Sequence, residues 1–160
     1  LLKISSDAGI WPSAPKITLE IFGDHRAHLT IEKIVRRGRG VDAELQLDAE
    51  EVKQLLAPCV DVFSMDPAVA ELRKRALPHY RSMADGEALW IDLEIQLEGY
   101  RTAADEEGQP AVDQRIQWSN PVVDARWHPE VVELQAFAEC TETLLLRAYE
   151  LADEIESGQR

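Results

Sequence analysis

Asp92 and Glu94 stand two residues apart in Ala88 to Glu98, where Leu89, Ile91, Leu93, Ile95 and Leu97 alternate with Trp90, Asp92, Glu94, Gln96 and Glu98. Strict alternation is the pattern of a strand with one buried face. Residues at i and i+2 share a face, which puts these two carboxylates roughly 6 to 7 Å apart. Paired carboxylates at that distance are a donor set for Mg²⁺ in phosphodiester cleavage. The competing reading is a solvated polar face. The same face carries Trp90 and Glu98, and a tryptophan among carboxylates suits an interaction surface for a basic protein.

Other residues of chemical interest fall at turns. Asp24, His25 and His28 follow Gly23 and offer imidazole and carboxylate to a metal, but the odd offset sends His25 and His28 to opposite faces of a strand. Solvated turn residues are the expectation there. Arg36, Arg37 and Arg39 straddle Gly38 and Gly40, so a basic hairpin tip could meet a phosphate or a single-stranded nucleic acid. The same arginines also serve as edge-protecting charges, and no RNA-binding aromatic pattern accompanies them. Trp127-His128-Pro129 precedes the longest amphipathic pattern, where His128 reads as a helix start or a general base.

The carboxylates of the 88–98 stretch resemble the Asp and Glu-x-Lys arrangement of restriction-type nucleases superficially, since Gln96 occupies the place of the lysine and no lysine follows Lys74. The chain has no Gly-x-Ser-x-Gly elbow, Walker loop or dinucleotide fingerprint, and neither cysteine has a nucleophile signature. Neither a resident metal nor a cofactor is expected.

The elements that would position these groups follow from periodicity. Residues 1–15, with Gly9, Pro12 and Pro15, read as an irregular N-terminal segment, and 16–160 as a single α+β domain. Strands are expected at Lys16 to Phe22, Ala27 to Val35, Val41 to Leu47, Ala88 to Glu98 and Val112 to Trp118, with Val122 and Val123 as a possible short addition. Asp48 and Glu51 form a capping box that opens a helix. Pro58 is expected to stop it near Ala57, and Asp66-Pro67 to open a short helix to about Leu77. From Glu130 to about Ile155, Leu134, Phe137, Leu144 and Leu151 mark one face of a long helix, with Gly158 at its exit. The fold class is therefore a mainly antiparallel sheet of about five strands packed against two or three helices.

At 160 residues, 45% of them hydrophobic, the chain has the size and composition of an ordinary globular domain. Its net charge of −13 is uneven. Residues 1–40 carry seven basic and four acidic groups, and the remainder ten basic and twenty-six acidic. That balance disfavours duplex nucleic acid over most of the surface. No basic-then-apolar leader pattern occurs in the first ten residues, and Cys59 and Cys140 are too distant in sequence for a metal-ligand motif. A cytoplasmic, soluble setting is expected. The function these features favour is a non-catalytic protein-interaction domain, such as an inhibitor, immunity-type protein, chaperone or adaptor, binding a basic partner. A metal-dependent hydrolase or nuclease using the strand carboxylates and a single-stranded nucleic-acid binder at the arginine tip are the alternatives.

Overall fold

The computed structural model describes residues 1–7, 15–32, 40–64, 90–97 and 112–159. They form six strands, β1 (Leu2–Asp7), β2 (Ile17–Ile21), β3 (Arg26–Ile31), β4 (Val41–Gln46), β5 (Trp90–Leu97) and β6 (Val112–Ser119), and three helices, α1 (Ala49–Ser64), α2 (Pro121–Trp127) and α3 (Val132–Glu156). The sheet order is β4-β3-β2-β1-β5-β6, and every neighbouring pair is antiparallel. The class is α+β, with one strand more than the five expected.

The additional strand is β1, which lies where an irregular segment was expected and pairs with both β2 and β5. Leu2 and Ile4 enter the core, but the third inward position is Ser6, which is also buried. A run ending Ser-Ser-Asp has turn composition. Pairing on both edges outweighs that local preference.

One face of the sheet is mainly apolar, with Ser6 a buried polar exception. Leu2, Ile4, Ile17, Leu19, Ala27, Leu29, Ile91, Leu93, Ile95, Ile116 and Trp118 are buried there together with Leu134, Phe137, Leu144 and Leu151 of α3. Alternate residues of β1, β2, β3, β5 and β6 are buried there, β4 adds the partly buried Val41 and Leu45, and α3 contributes the stripe that 3.6-residue periodicity places on one side. The Trp118 and Phe137 rings meet at 6.4 Å with a 58° tilt, near an edge-to-face arrangement.

The capping box is formed: Glu51 N donates to Asp48 Oδ1 at 2.8 Å, and Asp48 N donates to Glu51 Oε2 at 3.0 Å. The helix it opens does not stop at Ala57. It continues through Pro58 to Ser64, because Leu55, Cys59 and Val62 extend a buried stripe on both sides of the proline. Burial of that stripe offsets the backbone hydrogen bond that proline forfeits. The short helix expected from Asp66 to Leu77 lies outside the described residues.

Val122 and Val123 belong to α2 rather than to a strand. Asn120 adopts φ 51°, and Pro121 takes the first helical turn, where its missing N–H costs nothing. Trp118 Nε1 donates to Asp124 Oδ2 at 2.6 Å, which fastens α2 to the end of β6. Gln135 Nε2 donates to the carbonyls of Ala125, at 2.6 Å, and His128, at 3.1 Å, which fastens α2 to α3. Gly158, at φ 70°, ends α3 and donates its N–H to the Ile155 carbonyl, in the manner of a left-handed C-terminal cap.

Candidate functional site

The sheet face opposite the core is polar. Ile91, Leu93 and Ile95 are at most 1% exposed, so alternation turns Asp92 and Glu94 to the other side. Asp92 lies between Ser5 and Gln117, and Glu94 between Lys3 and Arg115, while Trp90 takes the register position opposite Asp7 and Ser119. Glu98, Arg36, Arg37 and Arg39 lie outside the described residues.

Asp92 is held by a two-pronged contact. Arg115 Nε donates to Oδ1 at 2.8 Å and Arg115 Nη2 donates to Oδ2. Gln117 Nε2 adds a hydrogen bond to Oδ2 at 3.0 Å. The Arg115 hydrogen bonds, opposed by partial burial, hold the Asp92 carboxyl below its ordinary range. Glu94 accepts from Gln96 Nε2 at 3.0 Å. A metal ion between Asp92 and Glu94 would have to displace the guanidinium. Among the described residues, no three His, Cys, Asp or Glu side chains are grouped to hold a metal.

Register exposes a pattern that sequence periodicity cannot. Across the six strands one row reads Glu44, His28, Glu20, Lys3, Glu94, Arg115. Acidic and basic residues alternate without exception. Lys3 Nζ donates to Glu20 Oε1 at 2.8 Å, and His28 lies between Glu20, 3.5 Å from Nδ1, and Asp42, 2.8 Å from Nε2. The Asp42 hydrogen bond, partly offset by desolvation, raises the affinity of His28 for its proton above the ordinary value. Opposite charges at cross-strand positions stabilise a sheet. The row therefore neutralises itself and serves first to hold the strands in register.

A shallow depression of about 450 Å³ lies beside this row, bordered by Lys3, Ser5, Asp7, Lys16, Asp92 and Arg115. It mixes both signs of charge. His128, a general-base candidate from its sequence position, is buried and caps the C-terminal end of α2, its backbone N–H donating to the Asp124 carbonyl. Its ring Nδ1 is 3.3 Å from Glu130 Oε1. The N-cap of α3 is Val131.

The outer side of α3 differs from the sheet face. Glu139, Glu142, Leu146, Tyr149, Glu150, Asp153 and Glu156 are all exposed, and their spacing places them opposite the buried stripe of Leu134, Phe137, Thr141, Leu144 and Leu151. No lysine or arginine stands among the exposed residues of this stripe. Arg147 of the same helix is only 19% exposed and reaches toward Glu51 of α1. Leu146 is 62% and Tyr149 41% exposed. Leu146 also borders a groove of about 210 Å³ between α1 and α3, shared with Leu55, Gln54 and Arg147. Apolar periodicity marks only the inner face of this helix. The outer signal is present in the spacing of the acidic residues, but becomes a surface only once the inner face is known to be covered.

No protein-family model matches the chain, and no curated protein matches it in sequence. No helix among the described residues is long and apolar enough to cross a membrane.

Proposed function

We propose that this chain is a non-catalytic, acidic protein-interaction domain of the inhibitor, immunity-type, chaperone or adaptor kind, and that it binds a basic protein through the outer stripe of α3. The observation that carries this reading is the stripe itself, in which five exposed carboxylates surround Leu146 and Tyr149. Carboxylates steer a basic partner during approach, and exposed apolar side chains supply contact area that charge alone does not. A cytoplasmic setting is part of this reading, and there the two cysteines would stay thiols.

The β5 face with Asp92 and Glu94, to which sequence alternation adds Trp90 and Glu98, is a second candidate docking surface. Its disadvantage is energetic: the Arg115 contacts that hold Asp92 would have to be exchanged for contacts with the partner. The hydrolase alternative faces the same obstacle at Asp92. The Arg36 to Arg39 tip carries the single-strand alternative.

The deciding experiment is co-purification from the native host followed by measurement of affinity against salt. An equimolar complex with a basic protein, weakening as salt rises and weakened further by Glu142→Lys, supports the proposal. Metal-dependent phosphodiester cleavage lost in Asp92→Ala would replace it with the hydrolase reading, and steep salt-dependent binding to single-stranded oligonucleotides with the nucleic-acid reading.

A further inference from the structure

We propose that Cys59 of α1 and Cys140 of α3 are the two halves of a disulfide that closes when the chain folds in the presence of a disulfide oxidant. The residues are 81 positions apart, yet their sulfurs lie 3.0 Å from one another. A disulfide requires about 2.05 Å, so closure calls for an approach of only about 1 Å. Both groups are free thiols at 0% exposure. The chain contains no third cysteine, so no competing intramolecular pair exists.

The chemistry balances with an oxidant of the oxidised-glutathione class. One cysteine, as thiolate, attacks a sulfur of the oxidant to give a mixed disulfide and expels one glutathione thiolate. The second cysteine then displaces the other. One sulfur–sulfur bond forms in the protein, one breaks in the oxidant, and two electrons and two protons pass to the two glutathione molecules. In the folded chain this route is slow. The oxidant cannot reach either sulfur, and the hydrogen bond to Cys140 together with burial pushes the Cys59 thiol up, away from the thiolate that reacts.

Closure therefore belongs to folding, before α1 settles on α3. Once made, the bond is protected from thiol reductants by the same burial. It would join two of the helices that build the core against the sheet. Because the closed loop is long, restriction of the unfolded chain should raise the melting temperature by an amount on the order of 10 °C.

The test is refolding of the reduced, denatured chain with and without oxidised glutathione, followed by alkylation under denaturing conditions, intact mass and thermal melting. The expected oxidised product is a monomer with no alkylated thiol, no glutathione adduct and a melting temperature about 10 °C higher. Two alkylated thiols, a persistent glutathione adduct or a cross-linked dimer after oxidative refolding would overturn the proposal. Cys140→Ser should lose the oxidant-dependent rise in melting temperature, and a rise that survives in that variant would also overturn it. If the variant does not fold, alkylation of the wild type decides alone.

Discussion

Glu51 of α1 and Arg147 of α3 are joined across 96 positions of sequence by a hydrogen bond of 2.5 Å from Nη2 to Oε1. The other oxygen of Glu51 accepts the Asp48 amide of the capping box, so one carboxylate both starts a helix and ties it to its neighbour. Arg147 in turn donates to Glu150 at 3.0 Å and Glu154 at 2.8 Å. With both side chains only about one-fifth exposed, this bridge is better shielded than a surface pair.

Glu51→Ala should therefore cost roughly 2 kcal/mol, combining a lost cap with a lost charge-assisted hydrogen bond. Asp48→Ala, which removes the cap alone, should cost about 1 kcal/mol. Chemical denaturation checks both. Equal midpoints for the two variants would show that the Arg147 bridge contributes nothing.

Truncating Phe137 or Leu144 to Ala should cost roughly 2 to 5 kcal/mol, because each leaves a cavity in a packed core. Both residues are 0% exposed on the sheet-facing side of α3. Denaturation midpoints at the wild-type value in both variants would contradict that packing.

Much of this core was legible in the sequence. Ile91 to Ile95 and Leu134 to Leu151 fall in long, regular patterns, and regularity over several turns or pleats leaves one choice of face. β1 was not legible because its third inward residue is Ser6, and its burial depends on two partner strands that local periodicity cannot reveal. Pro58 and Pro121 show the same dependence in opposite senses, one tolerated inside a helix by tertiary packing and the other opening one. The charge row was hidden for a stricter reason. It exists only in the register, and each strand supplies a single member.

Charge reversal within that row should be felt by both neighbours. Lys3→Glu would put a carboxylate between those of Glu20 and Glu94, leaving like charges side by side across β2, β1 and β5. Like charges at facing positions are destabilising, here by about 1 kcal/mol. Adding Glu20→Lys should recover part of that loss. A double variant no more stable than Lys3→Glu would show that the alternation is incidental.

The row also carries a pH dependence of defined sign. His28 binds its proton more tightly in the folded chain than its ordinary value near 6.5, chiefly through Asp42. A group with a raised folded pKa stabilises fully below its unfolded value, and that contribution disappears as pH rises through the folded value. His28→Gln should thus lose more stability at pH 5.5 than at pH 8.5. The His28 side chain is 37% exposed, which limits the difference to roughly a few tenths of a kcal/mol. A larger loss at the alkaline value would reverse the assignment, and an NMR titration of the imidazole gives the shift directly.

Kinetics separate the two residue types on the outer stripe of α3, because they act at different stages of binding. Glu139 and Glu142 act at a distance, so charge reversal to Lys should slow association with a basic partner and flatten its dependence on ionic strength. Leu146, 62% exposed and bordering the groove against α1, acts only in contact. Leu146→Ala should chiefly speed dissociation. Because Leu146 is largely exposed already, its truncation should change fold stability by less than about 0.5 kcal/mol, so altered binding cannot be ascribed to unfolding. Glu94→Lys is the control for the opposite side of the molecule. It should leave both rates near the wild type if α3 is the contact. Should Glu94→Lys slow association while the α3 variants do not, the binding surface is the β5 face, and the partner must displace the contacts that Asp92 makes with Arg115 and Gln117.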